Sequence, residues 1–134
     1  MAAEGIICDT DILIDYFDAK QKRHEETKII IEQKIGLNNI LISSITKMEL
    51  ILGATNKEDL NIINKSLNRF SVLLINPAIN LRAIDLVYAY RLSHGLALAD
   101  AMIAATAIQT ELELFTYNTK DFKYISKLTL YSYR

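Results

Sequence analysis

The sequence holds one cysteine, one proline and a formal net charge of only −1 in 134 residues, and it has no long uncharged apolar run. A lone thiol, Cys8, cannot close an intramolecular disulfide. A reducing, cytoplasmic compartment is therefore expected, with Cys8 packed in the core. The longest uncharged apolar stretch follows Asp100 and falls short of the roughly 20 residues a membrane span requires. The N-terminus lacks a basic start and a cleavable apolar stretch, so no leader and no membrane partner are expected. A balanced net charge gives no global signature of nucleic-acid binding, although local patches can act where the total does not. No repeat, linker or low-complexity segment divides the chain. What is present is ordinary globular material, 51% hydrophobic and 23% charged, enough for a core and for one domain spanning residues 1–134.

Hydrophobic patterning alternates strands with helices. Ile6–Cys8 is short, β-branched and bounded by Gly5 and Asp9, and reads as a buried strand. Ile12, Leu13, Tyr16 and Phe17 then share a helix face. A longer helix is expected through "KQKRHEETKIIIEQKI", ending before Gly36. A second strand, Ile40–Ser43, leads into a helix closed by Gly53. A further helix fits Lys57–Phe70, through Leu60, Ile63, Leu67 and Phe70. "SVLLIN" is a third strand stopped at Pro77, and a long helix runs from Ala78 to His94. Gly95 separates it from the nearly all-apolar "LALADAMIAATAIQTEL". "LELFTY" is a fourth strand, and "LTLYSY" a candidate fifth at the edge. This order implies βαβ units and a three-layer α/β/α sandwich around a mostly parallel sheet of four to five strands.

Chemistry in open parallel sheets gathers at the carboxyl ends of the strands. Asp9 and Asp11 follow strand one, Glu49 lies early in the helix after strand two, and Asn118 and Asp121 follow strand four. Asp100 starts a helix running antiparallel to the strand it feeds, which puts it at the same rim. An oxygen-rich set of this kind suits Mg²⁺ or Mn²⁺, and no His or Cys cluster offers a zinc site. Each acid also has a structural reading. Asp9 or Thr10 can cap the first helix, Thr46 and Glu49 match a capping box, and Asp100 can complement a helix dipole. Asp100 resists that reading most. It is the only charge between Arg91 and Glu111, and burying an unpaired carboxylate costs more than a dipole returns, so a cation is expected nearby.

In order and spacing, "IICDTDILIDYF", "ISSITKMELILGA", "LALADAMIAATAI" and "LFTYNTKDFKYI" resemble the four motif regions of PIN-domain proteins, most of all the VapC-type toxin ribonucleases of toxin–antitoxin pairs. The resemblance spans residues 6–125. It implies metal-dependent hydrolysis of RNA phosphodiesters, with Asp9, Glu49 and Asp100 as metal-binding acids and Asn118 completing the catalytic set in preference to Asp121. Thr10, Asp11, Thr116 and Asp121 are the remaining candidates for supporting those acids or a second ion. Asp11 departs from the family, which more usually has Asn or Ser there. A small cognate antitoxin and a homodimer are implied as partners.

RNA approaching an acidic rim needs cations beside it. Lys120 and Lys123 are the candidate RNA contacts, in a segment that also carries Tyr117, Phe122, Tyr124, Tyr131 and Tyr133. For most of these aromatics packing is the preferred reading. Lys20, Lys22 and Arg23 form a second cluster, diluted by Glu25 and Glu26. His24 and His94 lie outside the acidic motifs, His94 near a helix end where a partial cation suits the dipole.

Two other enzyme-like classes share parts of this pattern. A haloacid-dehalogenase-like phosphatase would use Asp9 as nucleophile, but it leaves Glu49 and Asp100 without roles and finds no acidic pair after strand four. A response-regulator receiver needs an aspartate after strand three, where this chain has Asn76-Pro77. The non-enzymatic alternative is a PIN-like module that binds RNA or protein without cutting.

Overall fold

The computed structural model describes residues 5–134; residues 1–4, on which the leader reading bears, lie outside them. Four strands, β1 (Ile6–Cys8), β2 (Ile40–Ser43), β3 (Ser71–Leu73) and β4 (Glu113–Phe115), form a fully parallel sheet in the order β3-β2-β1-β4. The helices are α1 (Thr10–Phe17), α2 (His24–Ile29), α3 (Ser44–Leu52), α4 (Lys57–Leu67), α5 (Pro77–His94) and α6 (Leu98–Thr110). Because side chains alternate along a strand, each β-strand feeds both faces of the sheet. Ile7 and Leu114 pack with α5 and α6 through Ile79, Ala83, Ala104 and Ala107. Cys8, Phe115, Ile40 and Ile42 pack on the opposite face with Ile12, Leu13, Tyr16, Ile30 and Ile31. The expected α/β/α sandwich is present, and Cys8 is fully buried in it, its thiol pKa pushed up chiefly by that burial.

Several boundaries differ from the sequence reading for local reasons. The helix expected from Lys20 starts at His24, because the Asp18 carboxylate accepts the Lys20 amide at 3.0 Å and holds a turn first. Beyond Ile29 the helix widens into a π-helical segment, Ile30–Ile35, closed by the Gly36 amide on the Ile31 carbonyl. Ile30 and Ile31, which open this segment, are both in the core. Helix α4 ends at Leu67 rather than Phe70. The third strand ends at Leu73, and Asn76 instead caps α5, its Oδ1 accepting the Ile79 amide at 2.8 Å with Pro77 at the first helical position. The candidate fifth strand is a single bridge from Leu130 to Leu114, after which Tyr131 and Tyr133 turn onto the Phe115 ring.

Two glycines suit the places where they stand. A Cβ on Gly5 would run into Leu41 of the neighbouring strand. Gly95 closes α5 in the left-handed conformation, φ 67°. All four strands point the same way, so the residues after Cys8, Ser43 and Phe115 emerge together at one edge of the sheet.

Candidate active site

Asp9 is the first residue beyond β1 and also the N-cap of α1. Its amide donates to the Phe115 carbonyl at 2.9 Å, continuing the β1–β4 pairing by one residue. Its side chain is buried, with Oδ1 accepting the Thr10 amide at 2.8 Å and Oδ2 accepting the Thr116 hydroxyl at 2.8 Å. Thr116 in turn accepts the Asn118 amide at 3.0 Å, which directs its own proton toward Asp9. Helix capping and site building are thus joint uses of one carboxylate.

Glu49 does not reach back to its own helix. The N-cap of α3 is Ser43, whose hydroxyl accepts the Ile45 amide at 3.0 Å, so the capping box expected at Thr46 does not form. Glu49 Oε1 instead accepts the Thr10 hydroxyl at 2.6 Å, and the buried Thr46 hydroxyl lies 3.0 Å from the same oxygen of Thr10. Thr46 is the member of this cluster that sequence reasoning missed. Its position three residues before Glu49, on the same helical face, was the available signal.

Asp11 Oδ2 accepts the Tyr117 amide at 3.0 Å, tying α1 to the chain leaving β4, while its Oδ1 is buried without a hydrogen-bond partner. Burial, followed by the charge of Asp9, pushes the Asp11 carboxyl up to about 7. Asp9 is itself raised, mainly by burial, against the lowering effect of its Thr116 and Thr10 hydrogen bonds. Asp100, in the first turn of α6, is half-buried and pushed up to about 6 by burial and then by the charges of Asp9, Asp121 and Glu49. The side-chain charges that Asp100 feels are all acids.

Hydrogen bonds thus join Asp9 to Thr116 and Glu49 to Thr10 and Thr46 at one rim, with Asp11 beside Asp9 and with Asp100 and Asp121 near enough to act through their charges. Asn118 is exposed and takes part through its backbone amide. Lys120 and Lys123 are exposed in the adjoining segment. Most of the nearby aromatics pack as expected. Phe122 is in the core, Tyr131 and Tyr133 lie on Phe115, and the Tyr117 hydroxyl pairs with Thr27 at 2.7 Å under the Arg23 guanidinium. His24 bonds the Asp15 carbonyl at 2.9 Å, away from the acids.

The donors fit a hard divalent cation in kind, being carboxylates with one buried oxygen still unpaired. Among the described residues, no three His, Cys, Asp or Glu side chains stand close enough together to hold a metal ion between them. Glu49 and Asp9 are engaged with threonines instead, which holds them at the rim.

A parallel α/β/α sandwich with acids at its strand ends is shared by several hydrolase and phosphoryl-transfer classes, and comparison with known proteins gives the family. The family model for the PIN domain matches residues 6–128, so the chain belongs to the PIN-domain family. It is 31% identical over 130 residues to Ribonuclease VapC1 of Methanocaldococcus jannaschii, covering 96% of this chain and 86% of that protein. Among solved structures, a toxin–antitoxin complex from Klebsiella pneumoniae superimposes with a TM-score of 0.74 at 31% identity, covering 97% of this chain and 98% of that one. A DNA-bound VapBC complex from Salmonella typhimurium shares the fold with a TM-score of 0.77 at 24% identity, over 97% and 98% of the two chains.

Proposed function

We propose that this protein is an endoribonuclease dependent on Mg²⁺ or Mn²⁺, acting as the toxin of a type II toxin–antitoxin pair. One observation carries the reading. Asp9, oriented by Thr116 and the Thr10 amide, and Glu49, oriented by the Thr10 hydroxyl, stand together at the strand-end rim of a PIN-family chain, and a divalent cation would offset the charge gathered there. The 31% identity to a ribonuclease and to a chain from a toxin–antitoxin complex supports the same reading.

Asp9, Glu49 and Asp100 would hold the ion, with Asp11 and Asp121 adjoining. When bound, it would supply the Lewis acidity that hydrolysis of a phosphodiester requires. The protein's own contribution is placement. Thr116 fixes Asp9 Oδ2 and Thr10 fixes Glu49 Oε1. The Asp11–Tyr117 bond holds β4's exit against α1, so that Asn118 borders the site. Lys120 and Lys123 would offset the acidic rim for an RNA backbone. Because no side chain serves as a covalent nucleophile here, no aspartyl-phosphate should accumulate.

The partner reading rests on exposed apolar surface. Along α5 and α6, Ile84, Leu98 and a Tyr88 that is 93% exposed form a face suited to a second copy. A small antitoxin would occupy the acidic rim or the groove beside it. With no membrane-length apolar helix among the described residues, nothing there opposes a cytoplasmic site of action.

The test is RNA cleavage by purified protein with Mg²⁺ or Mn²⁺, compared with Asp9→Asn and Asp100→Asn. Each substitution is expected to lower cleavage by about a hundredfold or more while the circular-dichroism spectrum is kept. Unchanged cleavage in both folded variants defeats the assignment. Phosphatase activity with a trapped aspartyl-phosphate would replace it with the phosphatase reading. Toxicity on expression that is relieved by co-expressing the neighbouring gene tests the antitoxin.

A further inference from the structure

We propose that the stacked rings of His94 and Tyr124 form a shelf that receives one unpaired RNA base beside the acidic rim, an inference that rests on the ribonuclease reading above. The two rings lie 3.9 Å apart, centroid to centroid, and within 8° of parallel. Tyr90, one helical turn before His94, meets both edge-on, at 5.9 Å from His94 and 5.1 Å from Tyr124. The Ser93 hydroxyl lies 2.8 Å from His94 Nδ1, giving the imidazole a further fixed contact. Three rings from two distant segments are thereby locked in one orientation.

The lock leaves a face open. Tyr124 is half-buried and belongs to the margin of the core, whereas His94 is exposed. Tyr124 covers one face of His94 and Tyr90 meets its edge, so the accessible surface is the opposite face and the remaining rim. A flat π-surface already held in a stacking geometry lets a base add as a third layer without ordering the protein first.

Position selects the ligand. His94 ends α5, and six residues later Asp100 stands in the first turn of α6; Tyr124 follows Asp121 by three residues. Tyr124 is close enough to the site that, after burial, the charges of Asp100 and Asp121 help raise its pKa. Lys123 precedes Tyr124 and Lys120 lies one turn back, both exposed. A ring shelf flanked by lysines and bordering a proposed phosphodiester-cutting centre matches single-stranded RNA, whose bases are free to splay while its phosphates meet cations. A duplex would offer no free base face.

The experiment uses a 12-nucleotide single-stranded RNA carrying 2-aminopurine, whose fluorescence is quenched when it stacks. Binding with Mg²⁺ is compared between Asp100→Asn and Asp100→Asn/His94→Ala, the first substitution blocking the proposed hydrolysis. Loss of the quench and an affinity about tenfold weaker are expected for the double variant. Replacing His94 by Phe instead of Ala should restore both, since a ring is what the shelf supplies. Because His94 is exposed, its loss removes one ring stack and no core packing, and a melting temperature within a few degrees of that of Asp100→Asn is expected. Equal quench and affinity within twofold for the His94→Ala variant overturn the shelf. Cleavage of the same RNA by unsubstituted protein reports separately on the enzyme reading. Cleavage with no His94 effect defeats the shelf alone, and absence of both cleavage and RNA binding defeats the two together.

Discussion

Thr116 shows how much a single hydroxyl is asked to do at this rim. It accepts one backbone amide and donates to Asp9, so the carboxylate is oriented by a group that cannot turn away. Thr116→Val keeps the shape and removes the donor. Cleavage is expected to fall by about 10- to 100-fold, with the same far-ultraviolet spectrum as the parent. The acids themselves carry a stability signature. Asp100 is raised to about 6 and Asp11 to about 7 from an ordinary carboxylate value of 3.8. Across roughly pH 4 to 7 the folded chain therefore retains protons that the unfolded chain has released, and stability falls as pH rises through that window. In EDTA the melting temperature should be higher at about pH 5 than at about pH 7.5, by about 2–4 °C. Asp100→Asn should flatten the difference, and Mn²⁺ should raise the melting temperature more at the higher pH. A melting temperature that climbs with pH in EDTA would contradict the placement of these carboxyls.

At the scale of elements, the order of strands and helices was legible because period-2 and period-3.6 patterns are strong in this chain. Ile6–Cys8 and Ile40–Ser43 have the expected limits. Where the reading slipped, a side chain had overridden periodicity. Asp18 captured the Lys20 amide and delayed α2, and Asn76 was taken by the α5 cap rather than by β3. The acids could be assigned to one rim from topology, since each follows a strand or lies in a helix that leaves or returns to the same edge. Their partners could not, because Thr116 meets Asp9 across a sheet pairing and Thr46 meets Thr10 between helices, neither of which leaves a local pattern. Helix α6 ends with Glu111 in the left-handed region, φ 57°, where a Cβ is strained. Glu111→Gly is accordingly expected to stabilise the fold by about 0.5–1 kcal/mol in urea unfolding. No gain would mean that the flexibility added to the unfolded chain cancels the relief.

For the whole molecule, Ile84, Tyr88 and Leu98 on α5 and α6 are exposed apolar residues on which the proposed pairing with a second copy would rest. If two copies meet there, Tyr88→Glu should convert a dimer to a monomer in light scattering while the rim acids, none of them on α5, keep their geometry. A dimer unaffected by Tyr88→Glu and Ile84→Asp would place the interface elsewhere. The separation of Asp9 from Thr116 has a consequence of another kind. Those two residues touch across 107 positions of sequence, and β4, which aligns them, comes after every other strand and helix of the sheet. A chain emerging from the ribosome therefore carries Asp9, Glu49 and Asp100 before it carries the residue that orients the first of them. Interrupted synthesis, or proteolysis before Thr116, yields fragments with the acids and no assembled centre. For a protein proposed to cut RNA, the order in which the chain is made acts as a delay on the blade.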